Sequence, residues 1–255
     1  DGDTFELVGD LDVNGNLTIS GGELDGSTNT ASVTVGGNWN NGDIFTAGPL
    51  VSFDGAAAGA ETVTITTGGT GVGQDFNDVT FNDGGDGDTF ELVGDLDVNG
   101  NLTVSSGTLD MNDGTQRAAN VGGDADFSGG ALVDAGLLTF DGTVVQTFYP
   151  NGQTFAAVTV ADTSDRTVRM SGTSTVGDVT VGAGETLVMD ATVAAANVTV
   201  NVLSGSTVTN NGVFQLNDNG GANTLRLAGS GGDFAYSVTG IDFNGSELEL
   251  GAVNT

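Results

Sequence analysis

Two short acidic segments carry the residue types and spacing of a calcium-binding loop. Each has Asp, Asp and Asn at alternate positions followed by Gly: Asp10, Asp12, Asn14 and Gly15, and again Asp95, Asp97, Asn99 and Gly100. Carboxylate and amide oxygens in this pattern, with a glycine for the sharp turn, form the first half of a twelve-residue calcium loop. The bidentate Glu of position twelve is absent, since Gly21 and Ser106 stand there. The sequence therefore predicts these six Asp and Asn side chains as ligands of an optional Ca²⁺ ion, with no cofactor required.

The same residues have a purely structural interpretation. Leu11 and Val13 would point into a core from a β-strand, Asp10 and Asp12 would point outward, and Asn14-Gly15 would turn the corner. A glycine-rich segment, residues 84–89, nearly matches the calcium-binding nonapeptide GGxGxD, but Thr89 stands where Asp is required. Diffuse screening of the acidic surface by Ca²⁺ or Mg²⁺ remains open beside a specific site.

An internal repeat determines which elements position these residues. Residues 1–18 are identical to residues 86–103, an offset of 85, and the chain length of 255 is three times 85. A repeat of this kind indicates one unit stacked several times. We expect 1–200 to form β-solenoid repeats, with approximate units 1–85, 86–165 and 166–200. We expect 201–255 to form divergent β-rich coils or a cap.

The recurring sequence pattern is apolar-Thr-apolar, as in Val33-Thr34-Val35 and Val79-Thr80-Phe81, separated by Asn-Gly and Asp-Gly pairs. Period-two alternation is typical of strands, and Asn, Asp and Gly tolerate the backbone of tight corners. A β-sandwich would also give short strands, but it does not explain the near-constant pattern. The predicted fold is all-β, a right-handed parallel β-helix (β-solenoid) of 85-residue super-repeats with essentially no α-helix. Each super-repeat would hold about four coils of roughly 20 residues.

Composition excludes several function classes. The chain has 34 acidic residues, four arginines, no Lys and no His, and its net charge is −30. Nucleic-acid binding needs Lys and Arg to displace counterions, so no nucleic-acid partner is expected. Nucleophilic Ser-His or Cys-His catalysis is excluded, and a zinc site is not expected without His or Cys. No apolar run reaches about 18 residues, so we expect no membrane insertion.

The order V-x-G-x-L-T-[IV]-S-x-G-x-L-D, followed by V-T-V-G-G-N-W and later T-F-D-G, resembles the repeats of large bacterial surface proteins. These are haemagglutinin-like and autotransporter-type adhesins with parallel β-helices. The resemblance covers about residues 1–200. It implies an extracellular or cell-surface protein with a parallel β-helix fold.

We expect a non-enzymatic structural protein, a subunit of a surface filament, fibre or sheath that assembles with itself head to tail. An adhesin stalk or a protein that binds surface glycans is the first alternative, with its specificity in 201–255. Exposed aromatic residues would favour it, although Trp39, Tyr149 and Tyr236 are the only Trp and Tyr residues and are scattered. A polysaccharide-degrading β-helix enzyme using two carboxylates is the second alternative. A trimeric phage tail-spike segment is a third.

Overall fold

The computed structural model describes residues 2–55, 59–161, 165–190, 198–203, 206–216, 223–227, 241–242 and 247–250. Over these residues the chain is all-β and contains no helix, and its strands pair in parallel ladders. This confirms the predicted parallel β-solenoid. The chain forms two compact units, Asp1–Gly136 and Leu137–Thr255.

Short strands separated by tight corners make up the first unit. They are β1 (Thr4–Glu6), β2 (Leu11–Val13), β3 (Leu17–Ile19), β4 (Glu23–Asp25), β5 (Val33–Val35), β6 (Trp39–Asn41), β7 (Ile44–Thr46), β8 (Leu50–Phe53), β9 (Thr62–Thr66), β10 (Asp78–Phe81), β11 (Thr89–Leu92), β12 (Leu96–Val98), β13 (Leu102–Val104), β14 (Thr108–Asp110), β15 (Ala119–Val121), β16 (Ala125–Asp126) and β17 (Ala131–Val133).

Successive strands of the first unit belong to different sheets, which is the mark of a solenoid. Sheet A has the order β1-β4-β7, sheet B has β2-β5-β8-β10-β13-β16, sheet C has β17-β14-β11-β9-β6-β3, and sheet D has β12-β15. Most coils therefore contribute one strand to each of three sheets, first A, B and C and later D, B and C, whereas the chain forms no strand between β9 and β10.

Residues of like type lie opposite one another along sheet B. Val33, Val51, Val79 and Leu102 form one buried column in register. The intervening residues form a parallel column of hydroxyls on the outer side: Thr34, Ser52, Thr80 and Thr103. Stacking of the apolar-Thr-apolar pattern is thus confirmed within this sheet, where it keeps β-branched and apolar side chains inside.

The two identical sequences nevertheless occupy different sheets. Leu11–Val13 lies in sheet B but its copy Leu96–Val98 lies in sheet D, and Leu17–Ile19 lies in sheet C but its copy Leu102–Val104 lies in sheet B. Residues in register along sheet B are 22, 18, 28, 23 and 23 positions apart. Most coils are therefore slightly longer than the roughly 20 residues expected, and 85 residues complete three coils and most of a fourth.

An aromatic cluster fills the core of the first unit. Trp39 contacts Phe45 edge-on at 4.9 Å between ring centroids, and Phe53 stacks on Phe81 at 5.2 Å. Phe76 lies against Trp39 at 5.5 Å. Such ring pairs add specific geometry to the burial of large apolar surfaces. Coils also approach closely at corners, where a Cβ on Gly48 would lie 1.9 Å from the carbonyl oxygen of Ala31.

The second unit contains longer strands. They are β18 (Ala135–Phe140, which begins at the end of the first unit), β19 (Gln146–Tyr149), β20 (Thr154–Val160), β21 (Thr167–Met170), β22 (Ser174–Val181), β23 (Thr186–Met189), β24 (Thr199–Val202), β25 (Val208–Asn210), β26 (Val213–Gln215), β27 (Thr224–Leu227), β28 (Ile241–Asp242) and β29 (Glu247–Leu250).

Two parallel ladders organise these strands. One has the order β19-β21-β23-β26-β28, and the other has β18-β20-β22-β24-β27-β29 with β25 beside the second half of β22. Phe148 packs between Phe140 and Phe155, with 5.2 Å between ring centroids on each side. The solenoid pattern of inward apolar and outward polar residues thus continues within this unit.

Candidate functional site

Two of the carboxylates predicted to bind calcium, those of Asp10 and Asp95, make corner contacts between coils. The side chain of Asp10 accepts a hydrogen bond from the backbone N–H of Ser32 at 2.8 Å. In the second copy, Asp95 accepts one from the backbone N–H of Ala118 at 2.9 Å. Each carboxylate thus satisfies a backbone donor of the next coil, a group that is costly to leave unpaired.

The other predicted ligands lie along strands or in turns. Asp12 is exposed on β2 opposite Thr34, and Asp97 stands on β12 opposite Asn120. Asn14 is exposed in the following turn. Its counterpart Asn99 donates from Nδ2 to Oδ2 of Asp75 at 2.5 Å. The Asp12 and Asp97 side chains stand on extended strands, whereas Asn14 and Asn99 lie in the bends that follow. The backbone of these segments is therefore not a single loop coiled around a metal position.

No group of three or more carboxylate, His or Cys side chains able to hold a metal ion occurs within the described ranges. Each predicted loop brings only two carboxylates, so Asn oxygens and water would have to complete the coordination of Ca²⁺, which takes six to eight oxygens. Specific calcium binding therefore stays a prediction.

Asn and Asp side chains join neighbouring coils in two series that the sequence analysis did not predict, one at the corner between sheets B and C and one at the corner between sheets D and B. Oδ1 of Asn16 accepts from the N–H of Asn38 at 2.8 Å, and Oδ1 of Asn38 accepts from Thr64 at 2.8 Å. In the second series, Oδ1 of Asp78 accepts from the N–H of Asn101 at 2.7 Å, and Oδ1 of Asn101 accepts from the N–H of Asp124 at 2.8 Å. Asn or Asp recurring every 22 or 23 residues was the signal that could have found it.

The glycine-rich segment that nearly matches the calcium-binding nonapeptide, residues 84–89, forms a loop around the side chain of Asp83. The carboxylate of Asp83 is buried and accepts backbone hydrogen bonds from Gly85 at 2.8 Å, Gly87 at 2.7 Å and Asp88 at 3.1 Å. Burial alone would raise the pKa of Asp83, but hydrogen bonds from Ser106 and these backbone groups hold it below its ordinary value. In this loop the backbone N–H groups stabilise the carboxylate.

Three arginines form ion pairs with single carboxylates. Nε of Arg166 lies 3.3 Å from Oε2 of Glu185, and both side chains are almost fully buried. Nη1 of Arg169 lies 2.6 Å from Oδ2 of Asp190, and Nη2 of Arg117 lies 2.6 Å from Oδ2 of Asp113. Because Arg166 and Glu185 are closed off from solvent, that pair is inaccessible to a polymeric substrate.

The Trp and Tyr residues of the described ranges give no exposed platform. Trp39 is buried in the core, and Tyr149 is half-buried on β19. Tyr236 lies outside the described residues. None of the described residues belongs to a helix long and apolar enough to cross a membrane.

The first coil, β1 to β3, exposes apolar residues that its identical second copy buries. Phe5 is 66% exposed, and a shallow hollow beside it is lined by Phe5, Leu17, Ile19 and Leu24. In the identical second copy, Phe90 and Leu102 are buried at 0% and 1% exposure. The first coil thus carries a core sequence on a surface that no other coil in the described structure covers.

No family model, curated protein or solved structure matches the chain. The β-solenoid fold agrees with the fold implied by the resemblance to surface-protein repeats, and kinship with the adhesins remains a prediction.

Proposed function

We propose that the chain is a non-enzymatic, extracellular structural protein, a subunit of a surface filament, fibre or sheath that assembles by head-to-tail stacking of β-solenoids. The observation that carries this proposal is the stacking of parallel coils with like residues in register, as in the column of Val33, Val51 and Val79 along sheet B.

Each coil covers apolar residues of its neighbour. β9 covers β11, with Val63 opposite Phe90 and Ile65 opposite Leu92. Burying a Phe side chain contributes about 1.5–3 kcal/mol, so stacking of one coil on another is favourable. Open sheet edges recruit further strands, and a heterologous contact between copies of such a solenoid propagates into a filament.

The polar groups favour a structural over an enzymatic role. The carboxylates of Asp10, Asp95 and Asp78 accept backbone hydrogen bonds from neighbouring coils, and Glu185 forms a buried ion pair. These side chains hold coils together. The Arg166–Glu185 pair is closed to solvent and cannot serve a polysaccharide-degrading site, which needs accessible carboxylates beside an arginine.

Calcium and surface glycans enter the proposal as optional ligands. With 34 acidic residues against four arginines, subunits repel one another, and divalent cations would screen that repulsion. The alternative function, an adhesin stalk that presents a glycan-binding region, would use the same solenoid.

Negative-stain electron microscopy of the purified chain, with and without millimolar calcium, tests the proposal. We expect unbranched filaments, at least in the presence of calcium. Single particles in both conditions and at high protein concentration would refute self-assembly and favour the adhesin stalk. Binding of the same preparation to a glycan array would then give that alternative direct support.

A further inference from the structure

A hollow in the first unit lies where sheet A gives way to sheet D. β7 is the last strand of sheet A and β12 is the first strand of sheet D, and the chain passes between them as residues 67–75, which form no strand. The coil that contains these residues spans 28 positions along sheet B, whereas the coils before and after it span 18 and 23. Its extra length borders a hollow of about 260 Å³.

Hydrogen bonds on both sides hold this segment in place. The carbonyl of Gly73 accepts from the backbone N–H of Phe45 at 2.7 Å and from Nδ2 of the buried Asn41 at 3.2 Å. The backbone N–H of Phe76 donates to the carbonyl of Asp97 on β12 at 2.8 Å. The hollow is therefore formed before any ligand arrives, as is usual for small-molecule sites, and little ordering is left for binding to supply.

Three polar side chains, those of Asp75, Asn77 and Asn99, line one part of the hollow. Oδ1 of Asp75 accepts from the backbone N–H of Gly73 at 3.1 Å, and its Oδ2 accepts from Nδ2 of Asn99 at 2.5 Å. In the part of the chain that the structure describes, the exposed side chain of Asn77 makes no hydrogen bond. A carboxylate has about four acceptor positions, and Asn99 keeps its carbonyl oxygen and a second N–H. Donors and acceptors thus remain available side by side.

Apolar groups complete the lining. Val72 is fully exposed to solvent, and Phe45 and Ala47 also border the hollow. Sites for drug-sized ligands usually measure roughly 300–1,000 Å³ and combine apolar walls with a few polar groups. This hollow has the same mixed character at a smaller size, which suits a single small ring that carries several hydroxyls.

Charge limits the chemistry of the ligand. Asp75 is the only ionisable side chain among the described residues that line the hollow, and the whole chain has a net charge of −30. Repulsion therefore disfavours glycans that carry carboxylate or sulfate groups. One carboxylate and two amides supply fewer oxygens than the six to eight that Ca²⁺ takes. Neutral hydroxyls, which both donate and accept, match these three side chains.

We propose that this hollow binds one sugar residue of a neutral polysaccharide. Asp75, Asn77 and Asn99 accept from and donate to the hydroxyls of the ring, and Val72 packs against its C–H face. The inference goes beyond the proposed function, because it gives the optional glycan ligand a place in the first unit and a chemical class.

A glycan array tests the ligand class. The purified chain is applied to printed oligosaccharides of glucose, galactose, mannose and N-acetylglucosamine, beside sialylated and uronic-acid glycans. We expect retention on at least one neutral glycan, which calorimetric titration with the same oligosaccharide then quantifies. Retention on no glycan, or on acidic glycans alone, would overturn the inference.

Substitutions test the place of binding. Asn99→Ala should weaken binding of that oligosaccharide at least about tenfold, because it removes a hydrogen-bonding side chain and leaves Asp75 without its amide partner. Asn14→Ala is the matched control, since Asn14 holds the same position in the identical eighteen-residue sequence but does not line the hollow. Equal binding by the two variants would overturn the proposed site.

A second variant keeps the test independent of folding. Val72→Ser changes a side chain that is fully exposed, so the urea midpoint should stay at the parent value while binding weakens several-fold. Unchanged binding by Val72→Ser would remove Val72 from the site and overturn the inference as stated. Electron microscopy of filaments does not depend on sugar, so failure of the sugar site leaves the proposed structural function standing.

Discussion

The carboxylate of Asp95 accepts a hydrogen bond from the backbone N–H of Ala118, 23 residues further along the chain, at 2.9 Å. This contact ties the beginning of β12 to the beginning of β15. We expect Asp95→Ala to lower the free energy of unfolding by about 1–3 kcal/mol, because it leaves the N–H without its charged acceptor. Asp95→Asn keeps an acceptor and should lose less. Urea denaturation at neutral pH measures both.

The control for this prediction is Asp86→Ala, which removes an exposed carboxylate and changes the net charge equally. If Asp86→Ala and Asp95→Ala lowered stability by the same amount, the corner hydrogen bond would carry no stability of its own.

The identical sequences allow one substitution to be made in two environments. Phe90→Ala should cost about 3–5 kcal/mol, because Phe90 is buried between β9 and β14 and its removal leaves a cavity. Phe5→Ala in the dispersed protein should cost well under half as much, because Phe5 is 66% exposed. Chemical denaturation of both variants measures the difference. Equal losses would mean that the first coil is covered in solution as the second copy is.

The buried ion pair between Arg166 and Glu185 should be costly to break from one side only. Arg166→Met leaves the Glu185 carboxylate without its cation at a site that excludes water, and we expect a loss of about 3–5 kcal/mol. The double variant Arg166→Met, Glu185→Leu should recover much of that loss, because no buried charge then remains. A double-mutant cycle by urea denaturation measures the coupling, and strictly additive losses would show that the two side chains do not interact.

The class of fold could be predicted from local patterns, because burial alternates along many of the strands, as in β5, β8 and β10. Val33, Val51 and Val79 recur with Thr or Ser beside them, and the structure stacks them in one column. The sheet that each strand joins could not be predicted in this way. Spacings along sheet B range from 18 to 28 residues, because corners and loops differ in length. An identical sequence such as Leu11–Val13 and Leu96–Val98 can therefore lie in different sheets.

The hydrogen bonds made by the acidic corner residues could not be predicted from the sequence for a related reason. The pattern Asp-x-Asp-x-Asn-Gly is the same in a calcium loop and in a solenoid corner, and only the partner distinguishes them. Asp10 meets Ser32, a residue 22 positions away. Such a contact depends on how long the intervening coil is, which local sequence does not specify.

The half-buried carboxyl of Asp54 should make stability depend on pH in an unusual direction. Burial raises the pKa of Asp54 above its ordinary value of 3.8, and the charge of Asp12 adds to this. Because its pKa is raised in the folded state, Asp54 binds a proton more tightly there, which stabilises the folded protein below pH 3.8. This stabilisation is lost as the pH rises through the folded-state pKa. Asp54→Asn should therefore be more stable than the parent at pH 7, with a smaller difference below pH 3.8.

Urea midpoints for Asp54→Asn and the parent, measured at both pH values, test this. Asp86→Asn changes the net charge equally at an exposed position and serves as the control. A gain at pH 7 that Asp86→Asn matches would reflect the reduced net charge rather than burial of Asp54.

Calcium should act on this protein mainly by screening the negative charge of the protein. The described residues bring no three carboxylates together, and Asp10 and Asp95 already accept backbone hydrogen bonds. Against a net charge of −30, divalent cations should raise the melting temperature at millimolar concentration, with Mg²⁺ close to Ca²⁺ and both above Na⁺ at equal ionic strength. A micromolar, calcium-selective rise that Asp97→Asn abolishes would instead establish the loop of Asp95, Asp97 and Asn99 as a specific site. Thermal unfolding followed by circular dichroism, with chelator-treated protein as the baseline, distinguishes the two results.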